Sequence, residues 1–131
     1  MNEQNPQVSD VDRFILDRID SVPHLEALLL LWSHRPQPWS AGDVGNRLYV
    51  PPEVANQVLQ GLIAQQLIVS TGGSGDQYFY QSKSADTDRL LEQVESAYRR
   101  ETIRIARMVH SKLFPGVREF ARAFRLKKDG E

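Results

Sequence analysis

Hydrophobic side chains recur at helical spacing over the first quarter of the chain. Between residues 9 and 20 the apolar positions follow a period of three to four, which predicts a helix with Ser9 and Asp10 as candidate N-caps. Ser21 is the expected N-cap of a second helix. That helix, residues 24–34, is apolar on nearly every side, so we expect it to be the buried centre of the fold.

Residues 39–66 repeat the helical spacing after two prolines that end the second helix. Trp39 is expected as a core anchor in a very short first strand, and Ser40 as the N-cap of a third helix. After a turn, Pro52 fits the first position of a fourth helix that runs to about residue 66. In this fourth helix the spacing turns Val54, Val58, Leu59, Leu62 and Ile63 inward and Glu53, Asn56, Gln57 and Gln60 outward.

The period then changes to the alternation that is typical of strands. Residues 67–69 are β-type, residues 71–75 supply a glycine-rich turn, and residues 77–81 return as an aromatic strand. Alternation along this strand places either Phe79 or its two tyrosine neighbours on the outer side. The sequence therefore predicts a small antiparallel hairpin.

A long helix is predicted to begin after Ser84 and to continue to about residue 114. At 1.5 Å per residue, about 30 residues extend about 45 Å, which is more than a small core covers. Part of the apolar stripe is therefore expected to meet a second subunit, which predicts a homodimer through this helix. Pro115 and Gly116 end it, and residues 117–128 are expected to form a short basic helix.

Residues 39–81 resemble the winged helix-turn-helix of bacterial transcription regulators of the MarR-like and PadR-like kind. The likeness rests on the inward positions of that motif, which are Ala41, Val44, Leu48, Val50, Val54, Val58, Leu62 and Leu67. A long helix after the hairpin is similar to the dimerisation helix of the PadR-like group. The resemblance implies a mainly α fold with a small antiparallel β-hairpin. The expected parts are a disordered N-terminus (1–8), a winged helix domain (9–83) and a C-terminal helical extension for dimerisation or partner binding (84–128).

The same resemblance implies a cytoplasmic, DNA-binding transcription regulator whose partner is double-stranded DNA. The fourth helix would lie in the major groove, where Asn and Gln side chains can read adenine through paired hydrogen bonds. The implied DNA-binding residues are Arg47, Glu53, Asn56, Gln57, Gln60, Ser74 and Gln77. Phosphate contacts would come from Arg47 and from basic residues near the C-terminus.

The charge distribution keeps an alternative open. Between residues 40 and 81, Arg47 stands alone against Asp43, Glu53 and Asp76, although phosphate neutralisation supplies most of the affinity for DNA. The alternative is a protein-protein interaction module that keeps the winged fold and no longer reads DNA.

Positive charge is concentrated at the other end of the chain. Residues 1–98 hold 6 Lys and Arg against 13 Asp and Glu, whereas residues 99–131 hold 10 against 4. The basic patch comprises Arg99, Arg100, Arg104, Arg107, Arg118, Arg122, Arg125, Lys127 and Lys128. Two interpretations have equal weight: a polyanion site, or ion pairs with the acidic surface of the first 98 residues, within one chain or across a dimer.

Several classes of site are excluded by composition and spacing. The chain has no cysteine, which excludes disulfides and thiol chemistry and suits a reducing cytoplasm. Its longest apolar run is far shorter than a membrane span, and no membrane partner is expected. The three histidines lack metal-ligand spacing, and no nucleophile is accompanied by a base. We therefore expect no enzyme, no metal and no required cofactor.

Overall fold

The computed structural model describes residues 9–73 and 75–113, with nine elements in this part of the chain. In chain order they are α1 (Asp10–Arg18), α2 (Val22–Ser33), β1 (Trp39–Ser40), α3 (Ala41–Leu48), α4 (Pro52–Ala64), β2 (Val69–Ser70), β3 (Gln77–Phe79), α5 (Ala85–Arg100) and α6 (Thr102–Leu113). The predicted fold class, mainly α with a small antiparallel sheet, is confirmed. The predictions for residues 1–8 and 114–128 and for Ser74 lie outside the described residues.

Serine N-caps start four of the helices, as the sequence predicts. The hydroxyls of Ser9, Ser21, Ser40 and Ser84 each accept a hydrogen bond from the backbone amide three residues later, at 3.0–3.4 Å. Helix α4 differs, because Pro51 is its N-cap and no side chain caps it. Pro52 occupies its first turn, where the missing amide costs nothing.

The sheet has three short antiparallel strands in the order β1-β3-β2. Trp39 pairs with Tyr78 and Val69 pairs with Phe79, so the predicted first strand and hairpin are both present. The strands are shorter than expected, because β2 comprises Val69 and Ser70 alone and β3 ends at Phe79. Leu67 and Ile68 are buried ahead of β2. Tyr78 and Tyr80 face inward and Phe79 is half-buried, which settles the alternation of this strand.

Helix α2 lies at the centre of a single hydrophobic core. Leu25, Leu28 and Leu31 are fully buried, and α2 packs against α3, α4, α5, α6 and β3. The prediction of a buried central helix is confirmed. Helix α3 packs tightly against the following turn and α4 at Gly45, where an added Cβ would lie 2.8 Å from the carbonyl oxygen of Val50 in the turn and 3.5 Å from the Cβ of Ala55 in α4. A side chain at position 45 would therefore require the turn to shift.

The prediction of one long C-terminal helix is wrong. Helix α5 ends at Arg100, and Glu101 has φ −130° and ψ 47°, outside the helical region. At the break, the hydroxyl of Thr102 donates to the carbonyl of Tyr98 at 2.6 Å, a local bond that competes with helical pairing. Helix α6 packs on α1, α2 and α5, and its Ile105 and Val109 are fully buried.

Because the helix breaks at Glu101, its length no longer requires a contact with a second subunit. Helices of the same chain bury Ile105 and Val109, two of the apolar positions that were expected to extend past the core. Among the described residues, the large hydrophobic side chains that remain exposed are Tyr49, at 94%, and Ile103, at 68%.

Candidate nucleic-acid interface

Helix α4 presents a polar face to solvent. Glu53, Asn56 and Gln57 are exposed, and no side-chain hydrogen bond or ion pair holds them within the described part of the chain. The opposite face is buried through Ala55, Val58, Leu59 and Leu62, and Val54 and Ile63 are partly buried. The predicted division of α4 into inward and outward sides is therefore confirmed. The outward amides are free to bind an external partner.

Gln60, the fourth predicted outward residue, links α4 to the hairpin. Its side-chain amide donates to the hydroxyl of Tyr78 in β3, at 3.1 Å. Gln60 remains exposed, but one of its amide hydrogens is committed to this bond. Its main effect is to fix the position of the hairpin relative to α4.

The hairpin tip is a glycine turn closed by hydrogen bonds across its base. The amide of Thr71 donates to the carbonyl of Gln77 at 2.8 Å, and the Thr71 hydroxyl accepts from the Gln77 amide at 3.0 Å. Gly72, Gly73 and Gly75 have φ between 73° and 86°, a region that favours glycine. The side chain of Gln77 is exposed, as predicted, and residues 69–79 contain no Lys or Arg.

Arg47 lies apart from the amides of α4. Its guanidinium carbon is 5.2 Å from the centroid of the Trp39 ring, a cation–π arrangement. The side chain also lines a cavity of about 450 Å³ between α2, α3 and α5, to which no residue of α4 contributes. Arg47 is exposed, but the structure does not place it in contact with the outward residues of α4.

Tyr49 is a residue whose environment the sequence reasoning missed. It is the C-cap of α3, with φ 60° and ψ 43° in the left-handed region. This conformation costs a residue with a Cβ roughly 1–2 kcal/mol, and helices usually place Gly or Asn there. The side chain is 94% exposed, so it gains no stabilisation from burial that would offset this cost. The sequence signal for this feature was a tyrosine at the end of α3, where helices usually have glycine or asparagine.

The described members of the basic patch are mostly paired with carboxylates. Arg104 contacts Asp12 of α1 at 3.0 and 3.2 Å and Glu101 at 2.5 Å. These hydrogen bonds raise the pKa of Arg104 above its ordinary value. Arg99 binds Glu95, and Arg100 lies 3.9 Å from Glu101.

These contacts favour the ion-pair interpretation over the polyanion site for Arg99 and Arg104. Among the described residues, Arg107 is exposed and has no hydrogen-bond or ion-pair partner. The remaining members, Arg118, Arg122, Arg125, Lys127 and Lys128, lie outside the described residues.

Two tyrosine hydroxyls fasten α5 to the winged unit. Tyr80, just after β3, donates to Asp88 at 2.9 Å, and Tyr98 donates to Glu26 of α2 at 2.8 Å. Burial and these bonds raise the pKa of both phenols above their ordinary value of 10.0. Hydrogen bonds from Ser82 and from Tyr80 lower the pKa of the Asp88 carboxyl. These groups hold the helices in place.

The described residues contain no group of three His, Cys, Asp or Glu side chains arranged to hold a metal ion. The His24 imidazole instead sits 2.5 Å from the hydroxyl of Ser21 at the start of α2. In the same part of the chain, no helix is both long enough and apolar enough to cross a membrane.

Comparison with known proteins rests on structure. No family model matches the chain, and no curated protein sequence matches it. Solved structures are similar over most of both chains. MepR of Staphylococcus aureus in a DNA complex has 11% identity and a TM-score of 0.53, covering 92% of this chain and 88% of MepR.

Two further solved structures are similar to the chain. A MarR family protein from Bacillus stearothermophilus has 14% identity and a TM-score of 0.51, covering 92% of this chain and 81% of its own. The adhesin competence repressor AdcR of Streptococcus pyogenes has 13% identity and a TM-score of 0.50, covering 85% of this chain and 82% of its own. The chain has a winged helix fold. The resemblance to the MarR-like class is thus confirmed at the level of fold.

Proposed function

We propose that this winged helix protein is a DNA-binding transcription regulator. The observation that carries the proposal is the exposed, unpaired polar face of α4, formed by Glu53, Asn56 and Gln57. The bond between Gln60 and Tyr78 holds the hairpin beside this face. MepR, which has a similar fold, forms a complex with DNA.

Helix α4 would enter the major groove with its outward residues against base edges. The amides of Asn56 and Gln57 each carry a donor and an acceptor, which match the N6 and N7 atoms of adenine. The Glu53 carboxylate can accept a hydrogen bond from the N4 amino group of cytosine. Arg47 would contact a phosphate, and Ser74 and Gln77 would contact the duplex from the hairpin.

The proposed active form is a homodimer. Two-fold symmetry would place two α4 helices in successive turns of the major groove. Arg47 is the one Lys or Arg between residues 40 and 81, so this segment of a single protomer has little electrostatic affinity for DNA. Pairing two half-sites is the simplest way to gain affinity. Sedimentation equilibrium at micromolar concentration should give twice the chain mass of 14.9 kDa. A 14.9 kDa species under these conditions would contradict the dimer.

The test of DNA reading begins with selection of bound duplexes from a random pool, followed by fluorescence anisotropy on the selected sequence. Asn56→Ala and Gln57→Ala should each weaken binding by about 10-fold or more and relax the preference at one position, since a bidentate base contact contributes about 1–3 kcal/mol. Gln93→Ala, at an exposed position of α5, is the matched control and should bind as the wild type does. If the wild type enriches no sequence at low salt, the proposed function is wrong.

A second candidate is an interaction module on the same fold. It is favoured by the three carboxylates that accompany Arg47 between residues 40 and 81, which disfavour approach to a polyanion. A photocrosslinking amino acid in place of Asn56 separates the two candidates in cells. Crosslinks to DNA support the regulator, whereas crosslinks to protein alone support the interaction module.

A further inference from the structure

Tyr49 combines two features that neither packing nor local geometry explains. Its backbone is in the left-handed region, which favours glycine, and its ring is 94% exposed. No side-chain hydrogen bond holds its hydroxyl within the described part of the chain. The backbone strain at Tyr49 is not offset by burial of the ring within the described chain, so the exposed ring is available to contact a partner.

The ring is presented from a rigid support. The backbone amides of Tyr49 and Val50 both donate to the carbonyl of Gly45, the latter at 3.0 Å. Val50 is partly buried against the core, and Pro51 follows with a fixed φ of −63°. The tyrosine therefore projects from a turn whose direction is fixed before any partner binds.

The position of the turn identifies the partner. Tyr49 lies three residues before α4, whose N-terminal residues would face base edges in the major groove. The chain that leads into such a helix passes the sugar-phosphate backbone at the groove edge, and tyrosine hydroxyls are among the usual donors to phosphate oxygens. We propose that the Tyr49 hydroxyl donates a hydrogen bond to a DNA phosphate that flanks the groove read by α4. This inference rests on the proposed function.

The test compares Tyr49→Gly with Gln66→Gly on the DNA selected by the wild type. Gln66 also has φ 60°, is exposed, and lies beyond the other end of α4. Both variants should raise the thermal midpoint, because glycine relieves the same backbone strain. Only Tyr49→Gly should weaken DNA binding, by roughly 10-fold, as expected for a lost hydrogen bond to a charged group.

Two further measurements distinguish the hydroxyl from charge and from the ring. Tyr49→Phe keeps the ring and the strain, so it should lose most of the affinity that Tyr49→Gly loses. The salt dependence of binding should remain that of the wild type, because a phenol displaces no counterion. If Tyr49→Gly or Tyr49→Phe binds as tightly as the wild type, this inference is wrong while the proposed function stands. If the wild type binds no DNA, both fail.

Discussion

His24 shows how a single side chain joins two helices. It lies half-buried near the start of α2, and its ring faces Gly61 of α4. A Cβ at Gly61 would come within 2.7 Å of the Nε2 atom of His24. Glycine at position 61 therefore makes room for the imidazole, and the imidazole in turn sets the spacing between α2 and α4.

The environment of His24 makes stability depend on pH. Burial lowers the pKa of His24 below its ordinary value of 6.5, nearby Lys112 lowers it further, and Asp20 partly opposes both. The unfolded chain therefore binds a proton at His24 more readily than the folded chain. The contribution of the neutral His24 side chain to the free energy of unfolding is fully present above the ordinary pKa of 6.5. It is lost as the pH falls below that value.

We expect the urea concentration at the unfolding midpoint of the wild type to be lower at pH 5 than at pH 7.5. In His24→Gln this decrease should be smaller. The measurement is urea unfolding followed by circular dichroism at each pH. The substitution His110→Gln, at an exposed histidine of α6, controls for the removal of an imidazole. An equal loss of stability on acidification in the wild type and in His24→Gln would contradict the assignment to His24.

At the scale of elements, the break at Glu101 decides the role of the C-terminal helices. A continuous helix would carry its apolar stripe away from the core, whereas the break returns α6 to α1 and α2. Arg104 reinforces this packing through its contact with Asp12 of α1, although a surface ion pair of this kind contributes only about 0–1 kcal/mol. The buried apolar residues therefore provide most of the attachment.

Two isoleucines of α6 provide a matched test of this packing. Ile105→Ala should destabilise the fold by about 2–5 kcal/mol, because the removed atoms leave a cavity in the core. Ile103→Ala, at a side chain that is 68% exposed, should change stability by less than about 0.5 kcal/mol. Denaturant unfolding measures both. Equal effects of the two substitutions would mean that α6 does not pack as described.

At the scale of the whole molecule, part of the charge asymmetry is neutralised by ion pairs among the described residues. The acidic first 98 residues and the basic remainder meet where Arg104 of α6 contacts Asp12 of α1. Arg99 and Arg104 have carboxylate partners within the chain, so they have less charge to offer to a polyanion. Arg47 remains the cation nearest in sequence to the proposed reading helix.

This distribution predicts a shallow salt dependence of DNA binding. If a homodimer neutralises about two phosphates through its two Arg47 side chains, the slope of log K against log salt is about −2. Affinity should then fall by about 10-fold between 50 and 200 mM salt, and Arg47→Glu should flatten the slope further. A slope steeper than about −5 would require more phosphate contacts than two Arg47 side chains supply. It would indicate that the basic residues near the C-terminus also contact phosphates.

The sequence alone determined the features that depend on near neighbours along the chain. Serine caps, the inward stripe of α4 and the glycine turn follow from local spacing and backbone preference, and all are found in the structure. The tertiary structure decided the packing of α6 on α1 and α2 after the break at Glu101, the exposure of Tyr49 and the pairing of Arg104 with Asp12. These depend on contacts between distant residues or on where a side chain points once the core is packed, which a local period does not contain.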